Sequence, residues 1–228
     1  MYWTDMTATV DANFIFVDDG STDGTRALLS RMSEQPTATA VFLPVNVGKG
    51  EAVRAGIRFA LDNFPRHDVA FLDADGAFSV EDVRRFVSLW NERAGALADV
   101  DSLWSSRVAL SGREILRTRR RHYLGRVIAT IITAGMPLPP YDTQSGFKIF
   151  SCNGGALRMC VAEPFSTRWF FDVELIQRWG DVSGGSIRIW EEPLTYWRDV
   201  DGSKIRLRSA PSIMVEVLRV FSTNVKRR

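Results

Sequence analysis

Several short stretches of the chain carry residue types that can do chemistry. Asp73-Ala74-Asp75 places two carboxylates one residue apart at the end of an apolar run. That arrangement can put oxygen ligands on a hard cation such as Mg²⁺ or Mn²⁺ bound to a diphosphate. A D-x-D triplet is also a common solvated turn after a strand, so by itself it decides little. Asp18-Asp19 opens the stretch Asp18-Asp19-Gly20-Ser21-Thr22-Asp23-Gly24-Thr25, built from the residues any tight loop uses. Gly48-Lys49-Gly50 can bring backbone amides and one lysine to a phosphate at a helix start. It lacks the G-x-x-x-x-G-K-[ST] spacing, however, and a plain helix start accounts for it better. Asp142 follows Pro137, Pro139 and Pro140 and begins Asp142-Thr143-Gln144-Ser145-Gly146-Phe147-Lys148, a rigid loop entering a strand, where an aspartate commonly serves only the turn. Trp169, Asp172 and Glu174 read equally well as ordinary helix-start chemistry.

The basic residues are clustered. Arg113, Arg117, Arg119, Arg120, Arg121 and Arg126 precede and enter the apolar run 127–132, and lysine occurs only at 49, 148, 204 and 226. The stretch from Ile213 to Arg228 has the same character, with Met214, Val217, Leu218 and Phe221 on one face and Lys226-Arg227-Arg228 at its end. Both segments fall short of the roughly 20 apolar residues that span a bilayer. Each fits either a helix lying in the headgroup plane, arginines on phosphates, or a core helix with a solvated basic end. Two such segments favour a membrane surface as partner. The formal net charge of +2 gives no overall field that would draw in nucleic acid.

The elements that must position these residues follow from periodicity. Phe14-Ile15-Phe16-Val17 is a short β-rich run, followed by the Asp18 loop and by Ala27, Leu28 and Met32 at helical spacing. The unit repeats with a strand over 40–43, the loop Asn46 to Gly50, and Val53, Ile57, Leu61 and Phe64 on a helix face. A third strand over 69–72 runs into Asp73, and Ser79 is placed to cap the helix that buries Val83, Phe86, Val87 and Trp90. Such alternation predicts an α/β fold with parallel strands, whose carboxyl ends gather the acidic and glycine-rich loops on one edge. Beyond Trp104 the pattern is less regular, with short strands around 147–150 and 187–190. Length and composition fit one domain of 1–228, in which 1–103 is the regular strand-and-helix part and 104–228 carries the basic-apolar helices. Cys152 and Cys160 have no metal-ligand spacing and are too few to staple a chain of this length, which fits a reducing compartment.

Taken in order, Val17 to Thr25, Asn46 to Gly50, Asp73-Ala74-Asp75-Gly76-Ala77, Asp142 to Phe147, Phe171-Asp172-Val173-Glu174-Leu175 and Gly202-Ser203-Lys204 resemble family 2 glycosyltransferases of the dolichyl-phosphate β-glucosyltransferase type. The resemblance implies a GT-A (nucleotide-diphospho-sugar transferase) fold, a mainly parallel sheet flanked by helices, and an inverting transfer of a hexose from UDP-glucose to a polyprenyl or dolichyl phosphate. It implies that Asp18, Asp19, Lys49, Asp73 and Lys204 bind the nucleotide sugar. Asp75 with Asp73 would hold Mg²⁺ or Mn²⁺, and Asp142 would stand at the reacting centre, orienting rather than abstracting a proton. Arg107, Arg117, Arg121 and Arg126 suit the acceptor phosphate because a guanidinium offers it a planar fork. Trp197 and Lys204 would lie on a late loop over the donor. The expected place of work is the cytoplasmic face of a membrane, with the protein peripherally attached. Only Met1 to Asn13 precede Phe14, so most of the family's first βα unit is expected to be absent, leaving the sheet N-terminally incomplete. Two other readings remain: a soluble family 2 enzyme acting on a polysaccharide or protein hydroxyl, and a catalytically silent nucleotide-binding remnant.

Overall fold

The computed structural model describes residues 2–116, 119–134, 136, 139–185, 187–198 and 210–226. The first half is built from strand and helix units, as the periodicity predicts. Strand β1 (Phe14–Asp18) pairs in parallel with β2 (Ala38–Phe42), and α2 (Thr25–Met32) makes the crossover a parallel pair requires. Helix α3 (Lys49–Asn63) buries Ile57, Ala60 and Leu61 and leads to β3 (Val69–Leu72). Helix α4 (Val80–Asn91) starts where Ser79 accepts a hydrogen bond from the Asp82 backbone N–H at 3.0 Å, and it buries Val83, Phe86 and Trp90.

The chain then interleaves. Strand β6 (Phe147–Phe150) lies between β3 and β4 (Ser102–Ser106), antiparallel to both, and β7 (Ile189–Pro193) adds in parallel beyond β4. A small parallel pair, β5 (Glu114–Leu116) with β8 (Tyr196–Arg198), completes the strands among the described residues. Three of the five pairings are therefore parallel, but the central strand β6 runs against its neighbours. Periodicity cannot reveal that, because it reports which face of a strand is buried and not which strands lie beside it, and all four residues of β6, Lys148 included, are buried. Residues 1–103 and 104–228 consequently share one sheet.

Two clusters fill the space on either side of that sheet. One joins Ile57, Leu61, Val69, Phe71, Trp104 and Phe150 to α6 (Ala156–Cys160) and α7 (Phe171–Ser183). The other joins Val83, Phe86, Trp90, Leu103 and Phe147 to α1 (Tyr2–Thr9), whose Met6 is fully buried. The β1–β2 pair lies in the same layer: Ile15 packs into the first cluster and Phe14 into the second. Among the described residues no backbone hydrogen bond joins β1 to β3, so the expected single sheet is divided. The residues before β1 cannot bridge the gap because they are helical and pack on α4. The remaining helices, α5 (Arg119–Thr133) and α8 (Ala210–Lys226), pack on each other around Ile132, Val217 and Val220.

Candidate active site

The acidic and glycine-rich loops do meet at one edge. Asp18, at the end of β1, is buried and accepts hydrogen bonds from the Ser21 N–H at 3.1 and 3.2 Å and from Arg26 Nε at 2.9 Å. Asp19 reaches across to the next loop, accepting from the Val47 and Gly48 N–H groups at 2.7 and 2.9 Å. Lys49, the first residue of α3, holds both oxygens of Asp73 at 2.8 and 2.9 Å. Asp75 is exposed, and one of its oxygens accepts from the Ala77 N–H at 3.0 Å. Tyr2 on α1 stands against this turn, donating to the Phe78 carbonyl at 2.9 Å; burial, with a smaller push from Asp75, raises its phenol to about 12.

Burial pushes the Asp18 carboxyl upward, but the hydrogen bonds from Ser21 and Arg26 outweigh it and hold the group below its ordinary value. A depressed carboxylate stabilises the fold above its unfolded value, and that contribution is lost as pH falls through the folded value. The stability gap between the parent chain and Asp18→Asn, read as the urea midpoint, should therefore be constant from about pH 5 to 7. It should shrink below about pH 4, the ordinary aspartate range.

Asp142 forms the other half of the site. It is nearly buried, and its carboxylate is held by Arg107: backbone N–H at 3.0 Å, Nε at 2.7 Å and Nη2 at 2.7 Å. The Arg107 guanidinium lies 5.2 Å from the Trp197 ring centroid. Arg126 on α5 donates to the Tyr141 carbonyl at 2.6 Å and stacks over the Tyr141 ring at 3.9 Å. Two of the arginines expected at an acceptor phosphate thus converge on residues 141–142. Arg117 and Lys204 lie outside the described residues, as does the side chain of Arg121. Trp197 is buried in β8 beneath Arg107 instead of lying on a loop over the donor, because its indole completes the cluster around Phe78 and Leu103.

Residues 142–146 connect the two halves. The Gly146 carbonyl accepts the Asp73 N–H at 2.8 Å, and a Cβ on Gly146 would fall 2.2 Å from Asp73 Oδ2. Three carboxylates support this region: Glu191, which the sequence did not single out, and Asp172 and Glu174, which read there as ordinary helix-start residues. Glu191 on β7 accepts the N–H groups of Tyr141 and Asp142 at 2.6 and 2.8 Å; burial raises its carboxyl and those bonds partly restore it. Asp172 forms a buried ion pair with Lys148 at 2.6 Å. Glu174 accepts from the backbone and hydroxyls of Ser166 and Thr167, fixing the segment that packs on the Gly48 loop. For Glu191 the available signal was an acidic pair inside an otherwise apolar strand, Ile189-Trp190-Glu191-Glu192-Pro193, where carboxylates are disfavoured.

Residues 10–134 match the sequence pattern described as Glycosyl transferase family 2. The chain belongs to that family. A dolichyl-phosphate beta-glucosyltransferase of Trichomonas vaginalis is 30% identical to it over 167 residues, covering 71% of this chain and 47% of that protein. A second protein of that description from the same organism is 27% identical over 190 residues, covering 77% of this chain and 56% of its own length. The chain thus spans about half the length of the curated relatives it matches. A solved glucosyl-3-phosphoglycerate synthase from Mycobacterium tuberculosis, in complex with Mn²⁺, UDP-glucose and phosphoglyceric acid, superimposes with a TM-score of 0.56 at 20% identity, over 92% of this chain and 67% of that one. The fold of this family 2 chain is GT-A.

Asp73 and Asp75 offer the carboxylate oxygens that a hard cation takes, and both oxygens of Asp73 are held by Lys49. Among the described residues no group of three or more His, Cys, Asp or Glu side chains could hold a metal. A hard cation here would bind through Asp75 and Asp73 and bring further ligands as diphosphate oxygens and water, the usual manner of Mg²⁺ at phosphate sites.

Proposed function

We propose that the chain transfers glucose from UDP-glucose, with inversion, to the phosphate of a polyprenyl or dolichyl lipid at the cytoplasmic face of a membrane. Residues 1–103 serve the donor and 104–228 the acceptor. The observation that carries this reading is the loop 142–146, which touches the donor-side Asp73 at one end and holds Asp142, beside Arg107 and Arg126, at the other. The Trichomonas relatives, named as dolichyl-phosphate glucosyltransferases, point to the same donor sugar and acceptor.

In the transfer, an acceptor phosphate oxygen forms a bond to the anomeric carbon as the bond from that carbon to the UDP oxygen breaks. A phosphate monoester already carries about −1.5 to −2 charge near neutral pH, so no base need remove a proton. Asp142 suits that chemistry: Arg107 grips both of its oxygens, making the pair an orienting element. Arg107, Arg117, Arg121 and Arg126 are assigned to the acceptor phosphate; Arg107 is paired with Asp142, and Arg126 stands beside Tyr141. Asp18, Asp19 and Lys204 are assigned to the nucleotide, and Lys49 keeps Asp73 aimed beside it. Mg²⁺ or Mn²⁺ at Asp75 and Asp73 would neutralise charge building on the departing diphosphate.

The outer faces of α5 and α8 favour a lipid acceptor. Val127, Ile131, Met214, Leu218 and Phe221 are exposed, and α5 begins in Arg119-Arg120-Arg121. Among the described residues no helix is long and apolar enough to cross a membrane. These features suit peripheral attachment through apolar side chains and anionic headgroups. The test is an acceptor comparison with radiolabelled UDP-glucose in detergent. Label should enter polyprenyl phosphate but neither polyprenol nor a soluble oligosaccharide; label in an acceptor hydroxyl would overturn the phosphate reading.

A further inference from the structure

Lys148 is an anomaly of the core. It sits on β6 among Phe147, Ile149 and Phe150, and its side chain is 1% exposed. The ammonium lies 4.3 Å from the Trp104 ring centroid and 5.0 Å from that of Phe71. Its three protons are matched by the Thr143 carbonyl at 3.0 Å, the Ser145 carbonyl at 2.7 Å and Asp172 Oδ1 at 2.6 Å. Burial drives the lysine down and the aspartate up, and their mutual attraction opposes both shifts. A buried pair of this kind costs several kcal/mol per ion in desolvation and is weak evidence of stability, so its presence asks for another reason.

The two carbonyls it holds supply that reason. Both belong to the loop whose first residue is Asp142 and whose last is Gly146, bonded to Asp73. The other end of the ion pair reaches the same loop, since Gln144 Nε2 lies 3.5 Å from Asp172 Oδ2. Thr143 Oγ1 is buried with no hydrogen-bond partner among the described residues, so that hydroxyl does nothing to hold the loop. We infer that Lys148 and Asp172 are positioning residues that fix the Asp73 loop and Asp142 relative to each other, and so set the alignment of donor and acceptor. The catalytic part of this inference rests on the proposed transfer reaction; the structural part does not.

The test is the double substitution Lys148→Met with Asp172→Leu, which removes both charges and keeps apolar bulk. Replacing a buried pair in this way is often neutral or stabilising, so the melting temperature should hold. Backbone amide exchange should nevertheless accelerate about tenfold or more in 141–146 and in 73–76, with α3 and α4 unchanged. In the transfer assay kcat should fall about 100-fold, the scale of a 1 Å misplacement, with donor KM within about threefold. Unchanged exchange in either stretch, or faster exchange with wild-type kcat, overturns the inference. Should the double variant not fold, Asp172→Asn keeps shape and an acceptor oxygen, and the same two stretches must exchange faster in it. Exchange is read without substrate, so failure of the glucosyl-transfer reading would leave this measurement decisive for the structural claim.

Discussion

Gly146→Ala is expected to lower kcat about 100-fold while leaving a folded protein. The added methyl would sit 2.2 Å from Asp73 Oδ2, far inside contact distance, and Asp73 cannot move aside without losing Lys49 at 2.8 Å or its N–H bond to the Gly146 carbonyl. Overpacking of this kind costs about 1–3 kcal/mol, or roughly 2–12 °C in melting temperature at the 2–4 °C per kcal/mol usual for chains of this size. Scanning calorimetry and steady-state kinetics would separate the two effects. Wild-type kcat in the alanine variant would mean that the Asp73 position has no bearing on turnover.

Arg107→Met should have the largest effect on stability. It leaves the Asp142 carboxylate, whose side chain is only 10% exposed, without its guanidinium, and breaking a buried pair on one side costs about 3–5 kcal/mol. The Arg107 backbone N–H still donates to Asp142 Oδ2, so the low end applies, about 3 kcal/mol or roughly 6–12 °C. Asp142→Asn in the same background should recover part of the loss by removing the buried charge that Arg107 no longer faces. If the double variant melts no higher than Arg107→Met alone, the carboxylate was not the source of the cost.

The edge that carries Asp18, Asp19, Lys49 and Asp73 was legible because it obeys local rules. Short apolar strands end at Asp18 or run into Asp73, the helix over 80–91 begins at a capping serine, and the loops meet at one edge through Asp19 with Val47 and Gly48 and through Lys49 with Asp73. The surroundings of Asp142 were harder to read because they are made by long-range pairing. Nothing near Asp142 in sequence announces that Arg107 will grip it, or that Glu191, 49 residues on, will hold its backbone N–H. Lys148 and Asp172 read as an ordinary strand lysine and helix-start aspartate until β6 is inserted between β3 and β4 and both are buried. The division between β1 and β3 was hidden as well, since hydrophobic periodicity reports which face of a strand is buried and not which strand lies beside it.

In the proposed reaction the Asp73–Asp75 turn serves a metal-bound nucleotide sugar opposite a lipid phosphate. The most direct measurement is transfer of labelled glucose from UDP-glucose to dolichyl phosphate in detergent with Mn²⁺, for the parent chain and Asp75→Asn. Metal-dependent glycolipid from the parent, reduced at least about 100-fold in the variant although it folds equally well, is the predicted result. Equal product from both, or none from a soluble and folded parent chain, would contradict it.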